Sequence, residues 1–115
     1  MNFLSIIEEF QEIILATETI EFVNEENISR LKLKIKFIDS TYLSVRELNS
    51  KFYSLYSYYC LREDHSVIIG WDNAPHHRNI ENFPYHKHKN NQIEPTSKVN
   101  LRDVLNEIRI MLVPN

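Results

Sequence analysis

The residues best suited to chemistry lie between Trp71 and His88, in the segment WDNAPHHRNIENFPYHKH. It holds four of the five histidines, the only tryptophan and two of the four prolines. Imidazole exchanges protons near neutral pH, so such a cluster can supply both a general acid and a general base. The sequence therefore predicts a catalytic set made of Asp72, His76, His77, His86 and His88.

Substrate-binding candidates are interleaved with these histidines. They are cations for phosphate oxygens, aromatic rings that could stack on bases, and one amide, namely Arg78, Lys87, Lys89, Trp71, Tyr85 and Asn73. RNA cleavage needs a base at the 2′-hydroxyl, an acid at the 5′-oxygen and a cation at the phosphate. We therefore predict an endoribonuclease that acts on RNA with no cofactor and no metal.

Two other interpretations of the same segment stay open. His86 and His88 alternate on an extended stretch, so their side chains could point the same way and bind a metal, with His76 and His77 as further ligands. The segment would then be a non-catalytic module that binds a metal or a partner. In the second interpretation, the side chains of Asp72 and Asn73 only cap the turn, and the histidines only hold the loop together.

The elements that must position this segment can be predicted from periodicity. Apolar residues from Phe3 to Ile14 recur at helical spacing, and residues 17–23 fit either a short strand or an extension of that helix. Residues 31–37 alternate as a half-buried strand whose lysines form a solvated outer face. Further strands are predicted at 43–47, 52–61 and 66–72, the second of them central in the sheet. A second helix follows, starting at an N-cap Asn100 with Asp103 three residues on.

These elements predict an α+β fold, with a four- to five-stranded antiparallel sheet and the N-terminal and C-terminal helices on one face. The length of 115 residues fits one domain spanning 1–115. The first 27 residues hold seven glutamates and no lysine or arginine, whereas the segment from His76 to Arg102 is cationic. These two regions could serve different partners or face one another, and a homodimer is one way to bring them together.

Composition excludes several classes of protein. A formal net charge of -3 argues against a protein that coats nucleic acid. The N-terminus lacks a basic leader, and Glu8, Glu9 and Glu12 interrupt its apolar stretch, so we expect no signal peptide and no membrane association. The lone Cys60 allows no internal disulfide, which fits a cytoplasmic protein.

Three motifs resemble the TumE family of toxin–antitoxin toxins. They are Tyr56-Ser57-Tyr58, the run WDNAPHH from Trp71 and the run FPYHKH from Phe83, and the earlier FIDSTYLSVREL is similar to a hairpin of that family. The resemblance covers about residues 31 to 110. Six residues fall on its motif positions: Asp72, Asn73, His76, His77, His86 and His88.

The resemblance implies a small cytoplasmic prokaryotic toxin, encoded beside a helix-turn-helix antitoxin and inhibiting growth through RNA. Two positions depart from the family pattern. Tyr59 stands where the family often has histidine, and Gly70 stands where it often has arginine. The order of helix and then antiparallel sheet is also similar to the RelE and barnase folds, by analogy of architecture alone.

Overall fold

The structure is a computed structural model that describes residues 2–74 and 84–113. Two helices and seven strands follow one another along these residues: α1 (Phe3–Glu9), β1 (Ile14–Glu25), β2 (Ile28–Phe37), β3 (Tyr42–Ser50), β4 (Ser54–Leu61), β5 (Val67–Asp72), β6 (His86–Lys89), β7 (Gln92–Pro95) and α2 (Leu101–Leu112). The strands form one sheet in the order of the chain, and each neighbouring pair is antiparallel.

The predicted α+β class and antiparallel meander are confirmed, and β4 is central as predicted. The predicted number of four to five strands is wrong, because the sheet has seven. β1 includes residues 17–23, for which a short strand is one of the two predicted alternatives, and it extends beyond them at both ends. The two strands beyond the predicted five are β6 and β7, which lie between residues 73 and 99, where no strand is predicted. The analogy with the RelE and barnase folds rests on the smaller sheet and falls with it.

Apolar side chains on one face of the sheet make the core. Directly paired residues point to the same face, so the register defines two complete rows across the four central strands. The rows are Leu33–Val45–Tyr58–Trp71 and Ile35–Leu43–Cys60–Ile69, and all eight residues are buried. Buried side chains of α1 and α2 belong to the same cluster. Both helices therefore cover this face, which we call the helix-covered face.

The two helices are short, and ion pairs connect α2 to the N-terminal region. α1 ends at Glu9, earlier than the predicted Ile14, although Phe10 and Ile13 still reach the core. α2 begins as predicted: the Asn100 side chain accepts from the backbone N–H of Asp103, and the Asp103 carboxylate accepts from that of Asn100. Two exposed ion pairs, Arg102–Glu9 and Arg109–Glu12, link α2 to the N-terminal region.

The opposite face of the sheet, here called the open face, carries the alternate residues of the same strands. Its central row reads Glu21–Lys32–Arg46–Ser57–Asp72–His86 from β1 to β6. The open face is where polar and charged groups of the sheet gather, and it contains the candidate site.

No helix among residues 2–74 and 84–113 is long and apolar enough to cross a membrane.

Candidate functional site

The site forms where three neighbouring strands bring polar side chains to the open face. In β5 and β6, Asp72 pairs with His86 and Gly70 pairs with His88. Tyr59 of β4 pairs with Gly70 from the other side. Because side chains alternate along a strand, these residues all lie on one face. Asp72 ends the strand predicted at 66–72, and the two histidines lie on the neighbouring β6, where no strand is predicted.

The Asp72 carboxylate is the centre of this cluster. Its Oδ1 lies 2.5 Å from His86 Nε2 and accepts a 3.0 Å hydrogen bond from the backbone N–H of Ala74. Its Oδ2 lies 3.1 Å from His88 Nε2 and accepts a short hydrogen bond from the Tyr59 hydroxyl. The rings of His86 and His88 stand edge to face with their centroids 5.0 Å apart. One carboxylate thus holds two imidazoles and a phenol.

The contact with Pro84 identifies where a proton lies on His86. The Nδ1 atom of His86 is 2.9 Å from the carbonyl oxygen of Pro84, which can only accept a hydrogen bond. Nδ1 therefore carries a hydrogen, and Nε2 faces Asp72. With Nδ1 on that carbonyl and Nε2 2.5 Å from Asp72 Oδ1, the His86 ring is held at both of its nitrogen atoms.

Burial separates the roles that the two histidines can take. His86 is 2% exposed and Asp72 is 7% exposed, so solvent hardly reaches either. The side chain of His88 is 26% exposed. A molecule on the open face can therefore touch His88, whereas His86 is shielded from it.

Tyr59 completes the cluster and was not predicted as a site residue. Burial, followed by the hydrogen bond to Asp72 and the negative charge of that carboxylate, raises the pKa of Tyr59. The phenol therefore stays protonated and acts as a donor. Its ring lies directly over Gly70, where a Cβ atom would be 2.2 Å from Tyr59 Cδ1. The Tyr59 ring fills the space that a side chain at position 70 would need, so the two departures from the family pattern, Tyr59 and Gly70, lie against each other.

A groove of about 480 Å³ adjoins the cluster on the open face. Asp72 and Tyr59 line one end of it, and Leu48 and Leu55 lie farther along. Three cations also line it: Arg30, Lys32 and Arg46. The sequence predicts Lys32 as solvated surface and gives no signal for Arg46, because only the register from β2 to β5 shows that they share a row with Asp72.

The structure separates several predicted substrate contacts from this site. Trp71 is 1% exposed in the core, where no base can stack on it. Lys87 is on the helix-covered face, with its ammonium 2.8 Å from Glu107 of α2 and 5.7 Å from the centre of the Trp71 ring. Tyr85 packs parallel to Tyr56 in the partly buried margin of the core.

Asn73 lies beside the site but has a structural role. Its Oδ1 accepts a 2.8 Å hydrogen bond from the backbone N–H of Tyr56, and its Nδ2 donates a 2.7 Å bond to the carbonyl of Ser54. The amide therefore clamps the end of β5 to the start of β4. This agrees with the interpretation in which polar residues after the strand satisfy backbone groups.

The remaining predicted residues divide into two groups. Lys89 ends β6 in an exposed position. His76, His77 and Arg78 lie outside the described residues, so their predicted roles stay predictions.

A thiol nucleophile is excluded at Cys60, because burial raises its pKa to about 11.

Asp72, His86 and His88 could also hold a metal ion. One ligand atom from each lies within 4.8 Å of the others. Two imidazoles and one carboxylate form a common ligand set for divalent transition metals. The hydrogen bond from His86 Nδ1 to a backbone carbonyl is the kind that orients metal-binding histidines.

Comparison with known families extends the resemblance beyond the motifs. A family model described as Toxin TumE matches residues 3–112. The match starts well before residue 31 and so includes α1 and β1. No curated protein and no solved structure matches the chain.

Proposed function

The chain belongs to the TumE family of toxins, and we propose that it acts as a metal-independent endoribonuclease within a prokaryotic toxin–antitoxin system. One observation carries the nuclease proposal. The Asp72 carboxylate gathers His86, His88 and Tyr59 beside a groove lined with cations. Proton-transfer groups next to a cationic surface are what RNA cleavage without a metal requires.

The proposed reaction needs two proton transfers at one phosphate. A base removes the proton of the 2′-hydroxyl, and the 2′-oxygen forms a bond to phosphorus. The bond from phosphorus to the 5′-oxygen then breaks, and an acid gives that oxygen a proton. The products are a 2′,3′-cyclic phosphate and a 5′-hydroxyl, so the base and the acid end in exchanged protonation states.

Exposure supports His88 as the member of the cluster that meets the substrate. Asp72 orients the His88 ring, while His86 and Tyr59 each contact the carboxylate and fix its position. His86 and Tyr59 are therefore positioning residues in this proposal. The second proton-transfer group is assigned, as in the sequence-based prediction, to His76 or His77, which follow Asp72 by four and five residues.

A second candidate function uses the same three side chains as metal ligands. It is favoured by the grouping of their ligand atoms within 4.8 Å and by the hydrogen bond that orients His86. The site would then be a metal-binding module, or a nuclease whose metal activates water. The two candidates differ in what a chelator does.

We expect the purified protein to cleave RNA in excess EDTA, with a bell-shaped pH profile near neutrality. His88→Gln should lower the cleavage rate about 10²- to 10⁴-fold, the usual contribution of general acid–base catalysis. His65→Gln is the matched control, because His65 is exposed and bonded to Tyr42, away from Asp72. The same two variants, expressed at equal level, should respectively relieve and preserve growth arrest in a bacterial host.

Three results would decide against this proposal. Cleavage abolished by EDTA and restored by zinc or manganese would favour the metal-activated reaction. Tight stoichiometric metal without cleavage of RNA would favour the non-catalytic module. Equal cleavage and equal growth arrest by the His88→Gln and His65→Gln variants would remove His88 from the active set.

Membership of a toxin family implies an antitoxin as partner. We propose that this antitoxin is a helix-turn-helix protein encoded beside the chain, which inspection of the neighbouring reading frame tests. The alternative of a homodimer in which N-terminal glutamates shield the cationic region has less support. Glu9 and Glu12 already pair with Arg102 and Arg109 of the same chain.

A further inference from the structure

The groove on the open face has a composition that points to a specific ligand. We infer that it binds the phosphate backbone of single-stranded RNA, with Arg46 and Lys32 contacting phosphates next to the one placed at Asp72 and His88. This inference rests on the proposed function, because it takes the cluster around Asp72 as the end of the groove where RNA is cleaved. It assigns a binding role to two residues of β2 and β3 that lie far from the histidines in sequence.

The sheet register places these cations in line with the catalytic cluster. Lys32 pairs with Arg46, Arg46 with Ser57, and Ser57 with Asp72, so the four residues form one row across β2 to β5. Neighbouring strands are about 4.8 Å apart, which puts the Cα atoms of Arg46 and Lys32 about 10 and 14 Å from that of Asp72. A strand of RNA leading away from the cluster along the groove passes both cations.

The cations of the groove have no carboxylate partner among residues 2–74 and 84–113. No ion pair in that part of the chain involves Arg30, Lys32 or Arg46. Glu47 also lines the groove, but its carboxylate accepts a hydrogen bond from Tyr58 on the helix-covered face. The other two acids, Glu21 and Asp72, lie at the two ends of the row, and the Asp72 carboxylate is already in contact with His86, His88 and Tyr59. The charge available between Asp72 and Lys32 is therefore positive and suits a polyanion.

The apolar residues in the groove favour a single strand over a duplex. Leu48 and Leu55 line it next to the cations, and Leu55 is 39% exposed. The half-buried ring of Tyr59 lies at the Asp72 end. Unpaired bases can pack on such apolar and aromatic surfaces, as they do in proteins that bind single strands. A duplex keeps the faces of its bases stacked inside and offers mainly phosphates.

Lys36 provides a matched control on the same strand and face. It is exposed, pairs with Tyr42, and is absent from the lining of the groove. Lys51 is a second exposed lysine outside the groove. The double variant Lys32→Gln/Arg46→Gln and the double variant Lys36→Gln/Lys51→Gln lose the same charge, so they separate a local contact from general attraction.

The test measures the affinity of a fluorescein-labelled, 12-nucleotide 2′-O-methyl RNA by anisotropy at several salt concentrations. The methyl group blocks the attacking hydroxyl, so binding is measured without cleavage. Lys32→Gln/Arg46→Gln should bind roughly tenfold more weakly, and its salt slope should fall by about 1.4, or about 0.7 for each lost phosphate contact. Lys36→Gln/Lys51→Gln should behave like the parent. Circular dichroism checks folding, and Arg46→Gln alone should reduce the slope by about 0.7 if the double variant is unstable.

Three outcomes would overturn the inference: equal affinity of the two double variants, a preference for duplex over single strand, or antitoxin binding that depends on Lys32 and Arg46 when the RNA does not bind. Cleavage of unmodified RNA tests the proposed function separately. Groove-dependent binding without cleavage by the parent would support RNA binding in the groove and contradict the nuclease proposal. Cleavage that is equal in both double variants would support the nuclease proposal and contradict RNA binding in the groove.

Discussion

The two faces of the sheet are built from the same strands and carry opposite chemistry. Trp71 and Asp72 are neighbours in β5, yet one is sealed in the core and the other is the centre of the polar cluster. Lys87 and His88 of β6 separate in the same way, toward α2 and toward Asp72. A step of one residue along a strand therefore decides whether a side chain stabilises the fold or can meet a substrate.

The strongest test of this comparison replaces the two neighbours in β5. Trp71→Ala should lower the free energy of unfolding by about 3–5 kcal/mol, because it leaves a large cavity in the core. Asp72→Asn should cost less stability and abolish cleavage. Urea denaturation and RNA cleavage measure the two effects. A Trp71→Ala variant of normal stability and impaired cleavage would move Trp71 from the core to the site.

A smaller effect is expected where Tyr59 covers Gly70. Gly70→Ala should destabilise the protein by about 1–3 kcal/mol, because its Cβ atom would overlap the Tyr59 ring. The displaced ring should also weaken the hydrogen bond to Asp72 and reduce cleavage. The measurement is a double-mutant cycle with Tyr59→Ala, in which the cost of Gly70→Ala should largely disappear. An unchanged cost in the Tyr59→Ala background would place the clash elsewhere.

The smallest effect is expected on the helix-covered side of β6. Lys87→Ala should lower the free energy of unfolding by under about 1 kcal/mol, the usual range for a partly exposed ion pair, and should leave cleavage unchanged. Chemical denaturation and the RNA assay test this, with Glu107→Ala as the partner variant. Loss of cleavage in Lys87→Ala, with Glu107→Ala unaffected, would bring Lys87 back to the substrate.

Strands with apolar alternation could be predicted from the sequence. The residues from Leu31 to Phe37 alternate as expected, and β2 has the burial pattern that follows from this. The strands β6 and β7 could not be found in this way, because His86–Lys89 contains no apolar residue. Their pairing depends on the edge offered by β5. The usable signal was Asn90-Asn91, two residues with positive φ that connect the strands as a tight hairpin turn.

The N-terminal helix shows the opposite error, in which periodicity predicted too much. Apolar residues continue at helical spacing past Glu9, but Ile14 already pairs with Phe37 in the sheet. Phe10 and Ile13 are buried by the turn between α1 and β1, so helical spacing and burial agree without a helix. Tertiary pairing decided the boundary, and local pattern did not contain it.

Part of the candidate site followed from spacing and part required the register. Alternation predicted that His86 and His88 would face the same side, and both contact Asp72. The contribution of Tyr59 depends on how β4 aligns with β5. The alignment of Arg46 with Asp72 spans three strands. Such alignments arise from hairpin geometry and from burial of whole rows, which no single segment specifies.

The chain-ordered sheet also has a consequence for the timing of assembly. Each strand pairs with the next one in the sequence, so most contacts are local and the sheet can grow one hairpin at a time as the chain leaves the ribosome. The first three strands can pair early, but the cluster around Asp72 needs β4, β5 and β6 together. A nascent chain therefore carries no complete site until His88 has been synthesised and has paired with Gly70.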